Sequence, residues 1–167
     1  MATYQYFGDG YSLPYDAPGT IILRRRLNVP DLIANAKLAL STALNTPVKL
    51  AATGFAQNDI LNIFLVPKGT LVRRVNLRIV TPEGGTATVD IGITGVDADG
   101  FLAGGNVNSS AGTVLYTPDT AAYGTDNALG YFCAANKAIG ITFKNAVDAL
   151  VADVWAEAAF VADLDAY

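Results

Sequence analysis

The sequence contains no histidine. That absence removes the commonest general base, the base of the usual Ser-His-Asp arrangement and the commonest metal ligand. There is one cysteine, Cys133, so neither an internal disulfide nor a thiolate zinc cluster can form. A lone cysteine of this kind is expected as a small apolar core residue. Charge is also scarce: 16% of residues are charged, against about 25% in soluble domains. So little charge cannot solvate a whole surface, and part of the outside is expected to be covered by partners. A formal net charge of −4 argues against nucleic acid as the main ligand. No uninterrupted apolar run reaches the roughly 18 residues of a membrane span. The opening MATYQYFGDGYSLPYDAP has neither the basic n-region nor the apolar h-region of a secretion signal. The expectation is a chain made in a cytosol that stays soluble or joins an assembly, with no membrane partner and no cofactor.

What is present is apolar and strongly punctuated. The 167 residues are 51% hydrophobic, enough for one domain with a sizeable core. Residues 1–18 stand apart as an extended arm. Tyr4, Tyr6, Phe7, Tyr11 and Tyr15 alternate there with glycines and prolines that oppose regular structure. The aromatics favour burial, against a neighbouring subunit or against the arm's own domain, with a loose tail as the remaining reading. Residues 19–167 read as a single domain. Thr20–Val29 has strand character, and its Arg24, Arg25 and Arg26 are consecutive. A strand sends Arg25 to the face opposite the other two, which makes a poor continuous nucleic-acid stripe. The run reads as a solvated or acid-paired edge, or as a contact to an acidic partner. From Pro30 to Leu44 the apolar residues Leu32, Ile33, Ala36, Leu40, Ala43 and Leu44 share a helical stripe. Pro30 suits the first helical position, and Asn45 and Pro47 suit its stop, so one helix is expected here.

Strands follow from residue 55 onward. Ile60–Val66 is apolar on both faces. Leu71–Val80 sets Val75, Leu77 and Ile79 against Arg74, Asn76 and Arg78, and Thr86–Ile93 sets Ala87, Val89, Ile91 and Ile93 against Thr86, Thr88 and Asp90. The turn Pro82-Glu-Gly-Gly85 and the matching periods predict a hairpin, with Arg74 or Arg78 opposite Asp90. Further strands fit 114–117, 130–134, 137–143 and 149–161. In the last, Leu150, Ala152, Val154 and Ala156 share one face. About eight strands without a βα rhythm predict an all-β fold, a β-sandwich (jelly-roll-like) with the arm and one N-terminal-side helix.

Thr94-Gly-Val-Asp-Ala-Asp-Gly100 is the one acidic cluster that invites a chemical reading. As an EF-hand it fails, because the first and twelfth positions would be Gly95 and Asn106. A looser calcium site on Asp97 and Asp99 remains a weak alternative. A glycosidase pair needs two carboxyls on opposite sides of a sugar bond, which two acids two residues apart do not supply. The expectation is a structural turn, continued by a surface loop over 100–112, with a second over 117–129. No catalytic residue is assigned.

Several of these segments form a recognisable series: Pro67 with Gly69–Val72, then Gly84–Gly92 (GGTATVDIG), then Asp99–Leu102 (DGFL), and late in the chain Val151–Ala156. This series resembles capsid decoration, or cement, proteins of tailed bacteriophages, well over residues 64–104 and loosely over 55–160. The resemblance implies a β-sandwich on the capsid exterior, often a homotrimer at local three-fold positions, clamping subunits of the major capsid protein. It places the protein in the virion after assembly in the host cytoplasm, and it implies no enzymatic activity. Tyr4, Tyr6, Phe7, Tyr11, Tyr15 and Arg24–Arg26 are then the expected partner contacts. Rival readings are a tail or head-fibre component, or a carbohydrate-binding β-sandwich.

Overall fold

The computed structural model describes residues 1–6, 20–40, 43–118, 121–124 and 129–161. In chain order it contains β1 (Thr3–Tyr6), β2 (Thr20–Asn28), α1 (Val29–Ala34), β3 (Leu38–Leu40), β4 (Ala43–Val48), β5 (Ile60–Val66) and β6 (Thr70–Thr81). There follow β7 (Thr88–Ile93), β8 (Asp97–Asn106), β9 (Val114–Leu115), β10 (Tyr131–Cys133), β11 (Lys137–Phe143) and β12 (Val151–Phe160). They build two sheets. One has seven strands in the order β4-β3-β1-β5-β11-β7-β8; the other has five, β10-β6-β12-β2 with β9 also on β6. The fold is therefore an all-β sandwich, as the alternation and punctuation predict, with twelve strands among the described residues where about eight were expected.

Period-two alternation creates the core. Val75, Leu77 and Ile79 of β6 and Ala152, Val154 and Ala156 of β12 meet Val89, Ile91 and Ile93 of β7 and Ile139, Ile141 and Phe143 of β11 in one apolar cluster. Each large aliphatic side chain so buried is worth roughly 1.5–3 kcal/mol. Cys133 lies in the same cluster, and burial pushes its thiol up to about 11, so it is an inert core residue. One end of the sandwich is closed by rings: Phe55 stacks on Phe143 at 4.2 Å, and Tyr4 meets Phe55 edge-on at 5.5 Å. Phe55 and Val147 hold each other through two backbone hydrogen bonds of 2.8 and 3.0 Å. Gly54 just before them has φ +74°, and a Cβ there would overlap the Val147 carbonyl oxygen.

Three expectations are corrected. The Leu71–Val80 and Thr86–Ile93 strands do not form a hairpin. β6 pairs with β12, β10 and β9, whereas β7 pairs with β11 and β8, in the other sheet. Residues 82–87 are a crossover between layers. The periods match because both strands point their apolar sides into the same interior. Glu83 anchors this crossover: its carboxylate accepts the backbone N–H groups of Asp148, Ala149 and Leu150 at 2.7–3.0 Å.

The helix begins as predicted but is short. Asn28 caps it by accepting the Asp31 N–H, and Pro30 sits in the first turn. It ends at Ala34, where Asn35 is extended and donates, with Lys37, to the Asp31 carboxylate at 2.6 Å each. A helix of this length has little stability of its own. Leu38 and Ala39 are buried in β3, which β1 pairs along its length. Pro47 falls within β4 and not at a helix stop; β4 is the sheet's edge, where a missing donor is tolerated.

The third correction concerns the arm as an extended segment, since its first residues follow the own-domain alternative and join a sheet. Its residues 3–6 form β1, an interior strand of the seven-stranded sheet, antiparallel to β3 and parallel to β5. The Ala2 N–H donates to Asp59 at 2.6 Å and fixes the start. Residues 7–18 of the predicted arm lie outside the described residues.

Candidate functional site

The sequence-predicted contact residues sort into three places. Tyr4 is integral to the fold: it is half-buried against Phe55, and burial, then the nearby Asp59 carboxylate, raises its phenol above the ordinary value. Tyr6 contributes its backbone to β1, opposite Leu38. Phe7, Tyr11 and Tyr15 lie outside the described residues. Tyr4 thus packs against the edge of the core through Phe55 and serves the fold of its own domain.

Asp97 and Asp99 are corrected too. The turn is Thr94–Val96, and the two aspartates open β8. The predicted 100–112 loop is therefore strand as far as Asn106, with Phe101 fully buried against Tyr123. The Tyr123 N–H donates to the Gly100 carbonyl at 2.9 Å, which covers part of this sheet edge. Asp99 is raised above its usual value, chiefly by a hydrogen bond with Asp97. Burial and the same Asp97 push the Tyr123 phenol up to about 12. Asp97 is the shared partner of the Asp99 carboxyl and the Tyr123 phenol. Among the described residues no third acidic, histidine or cysteine side chain joins them to hold a metal.

Arg24, Arg25 and Arg26 lie where strand alternation sends them. Val154 is opposite Arg25, so Arg25 shares the inner register with Leu23 and Leu27, while Arg24 and Arg26 are exposed on the outer face. β2 is the last strand of its sheet, and an inward charge there discourages edge-to-edge association.

The outer face of the five-stranded sheet is the feature that sequence reasoning did not assemble. Register aligns its residues in rows across β2, β12 and β6. The first row is Arg26, Asp153 and Arg78; the second is Arg24, Trp155 and Asn76; the third is Ile22, Glu157 and Arg74. A fourth runs from Ala159 through Leu71 to Phe132 of β10. In the first row Asp153 accepts from Arg26 at 2.7 and 3.1 Å and from Arg78 at 2.6 Å. These bonds, Arg26 first, hold its carboxyl below the ordinary 3.8. The sheet edge beside Trp155 opens a groove of about 470 Å³ lined by Arg24, Arg25, Arg26, Arg78, Asp153 and Trp155. All six arginines of the chain are on β2 and β6. The outward set of Arg74 and Arg78 was legible as alternation. Its union with Arg24 and Arg26 depends on strand order, which no local pattern reports. Predicted pairing of Arg74 or Arg78 with Asp90 does not occur: Arg78 binds Asp153, and Asp90 binds Lys144 at 3.1 Å.

Comparison with known proteins places the fold. No family model matches the chain, and no curated protein matches it. Among solved structures, a chain from the capsid of Ralstonia phage GP4 superposes with a TM-score of 0.61 at 16% identity, covering 97% of this chain and 100% of that one. A chain of the acid-stable capsid of Helicobacter pylori bacteriophage KHP30 gives 0.52 at 16% identity, over 86% and 89% of the two chains. A chain of the cyanophage Pam1 capsid asymmetric unit gives 0.50 at 15%, over 92% and 97%. At these identities the likeness is one of fold.

Proposed function

We propose that this protein is a structural component of a phage virion, a decoration or cement subunit that binds the outer surface of the head shell and stabilises it. The observation that supports this reading best is the likeness of fold to a chain of the GP4 capsid, over 97% of this chain and 100% of that one. The absence of histidine and of any clustered metal ligands among the described residues suits a protein whose work is adhesion. The partner is the major capsid protein, and the unit on the shell is a homotrimer.

The mechanism is burial of area at many equivalent contacts. A stable contact buries at least about 1,000 Å² in total, and symmetric repetition multiplies modest affinities through effective concentration. Shells prepared with and without the protein test this directly. Added protein is expected to appear as extra density on the exterior in a low-resolution particle map and to raise the temperature at which particles rupture. Particles with unchanged resistance to heat and osmotic shock, or density elsewhere than the shell exterior, would overturn the reading.

A further inference from the structure

The seat of β1 is built by a stretch of chain far from the strand that follows it. Its pairing partners among the described residues lie between 38 and 62: β3 runs antiparallel on one side, β5 parallel on the other, and Phe55 meets the Tyr4 ring. Asp59 accepts the Ala2 N–H at 2.6 Å, and the Ile60 N–H donates to the Ala2 carbonyl at 2.8 Å. β1 with β5 is the one parallel pair among the described strands; every other pair is antiparallel. β3 and β4 reach the rest of their sheet through β1 alone. The gap between β3 and β5 is therefore a slot that an added strand completes.

The connection out of this slot has length to spare. β1 runs beside β5 toward the Pro67–Gly69 turn and ends at Tyr6. Thr20 opens β2 opposite Ala159, next to the Phe160–Thr70 pair just past that turn. Both ends of the connection thus lie toward one end of the sandwich, in different layers. Layers stand about 10 Å apart, whereas a chain of the length of residues 7–19 can reach about 40 Å.

We infer that assembled copies exchange β1, so that the slot of each subunit holds residues 2–6 of a neighbour and the insertions close into a ring of three. The inference rests on the homotrimer of the virion reading. Exchange makes the same contacts as self-insertion, so it costs little. The occupant is a second copy because the slot fits this segment: Tyr4 meets Phe55, and the Ala2 backbone serves both Asp59 and Ile60. A lone chain returns β1 to its own slot, as described above. Copies held side by side on a shell offer one another the same strand at an effective concentration on the order of millimolar. An exchanged subunit leaves only when an interior strand opens, which suits a protein that cements.

The test puts benzoylphenylalanine at Thr3, opposite Ile60, in the full chain. Equal amounts of ordinary and heavy-isotope-labelled protein are held with shells of the major capsid protein, irradiated and digested, and the cross-linked peptides are weighed. Exchange is expected to join residue 3 to peptides around Ile60 in mixed light–heavy pairs as often as in like pairs. Dilute protein without shells is expected to give like pairs alone. Deleting residues 10–15 leaves a connection of about 20 Å, enough for the chain's own crossing with little to spare. That variant is expected to keep its melting temperature in dilute solution, to give like pairs alone on shells, and to leave them at least about tenfold faster. Like pairs alone from the protein of full length bound to shells overturn the inference and leave the virion reading standing. So do mixed pairs that join residue 3 to any other part of the neighbour. Failure of the unaltered protein to bind shells removes the virion reading itself, and the inference with it.

Discussion

Two aspartates in this molecule respond to pH in opposite directions, and the difference follows from what each touches. Asp153 accepts from two guanidinium groups, so its folded value lies below 3.8. Its contribution to stability is present above the unfolded value and lost as pH falls through the lowered folded one. Asp153→Ala leaves Arg26 and Arg78 facing each other. Both are more than half exposed, so solvent screens the effect, and the expected loss at neutral pH is about 1 kcal/mol. Urea midpoints at pH 7 and pH 3 are the measurement: the variant should fall short of the unaltered protein at pH 7 and converge with it in acid. Asp99 is the reverse case. Its folded value is raised, mainly by the bond with Asp97, so its contribution is complete below about pH 3.8 and lost as pH rises through the raised value. Asparagine mimics the protonated form at every pH. Asp99→Asn is therefore expected to stabilise the protein at pH 7 by a few tenths of a kcal/mol, in keeping with an exposed site, and to have no such advantage near pH 3.

At the level of elements, the alternating strands were legible and their partners were not. Lys137–Phe143 and the inward set Ala152, Val154 and Ala156 follow directly from period two. The same period misassigned the β6–β7 connection, because strands of opposite sheets that face one core alternate in phase, as strands of one hairpin do. Helix spacing misled likewise: Ala36 and Leu40 continue a helical stripe, whereas Leu38 and Leu40 alternate, and pairing with β1 decides for the strand. The crossover and β1 are thus where long-range contacts override local pattern, and both can be tested. Glu83→Ala deprives three backbone donors at once of a charged acceptor. Charge-assisted hydrogen bonds contribute about 1.5–3 kcal/mol, and partial exposure lets water replace some of them. The expected loss is about 2 kcal/mol by denaturant unfolding, with Glu83→Gln retaining part of the stability. Removing residues 1–6 takes out an interior strand, separating β3 and β4 from β5 and leaving Asp59 without the Ala2 donor. That truncation is expected to lower the melting temperature by more than about 10 °C, since several kcal/mol at about 2–4 °C each are at stake in a domain of this size. A truncation starting at residue 1 consequently reports on folding and says nothing of docking.

Considered whole, the molecule gathers its arginines in one sheet. The net value is −4, yet every arginine sits on the two strands that flank β12. Arg24–Arg26 marked one strand of this surface in the sequence. Trp155, Arg78 and Phe132 joined that surface only through a strand order set by contacts distant in sequence. For the proposed binding to the head shell, such a layout divides the kinetics. Exposed arginines act at a distance, and their reach is about 10 Å at 0.1 M salt and about 3 Å at 1 M. They steer the encounter, so salt should slow association. The apolar row around Leu71 and Phe132 acts only in contact, and its burial does not weaken as salt rises. With shells immobilised on a biosensor, raising the salt from about 50 mM to about 500 mM is expected to cut the association rate about tenfold, within the range of steered encounters. The dissociation rate should change by less than about twofold, and Phe132→Ser should raise it at both salt concentrations. A salt effect carried by dissociation instead would mean that the arginines are buried in the bound state and not at its rim, and the division of labour between the two ends of the face would have to be redrawn.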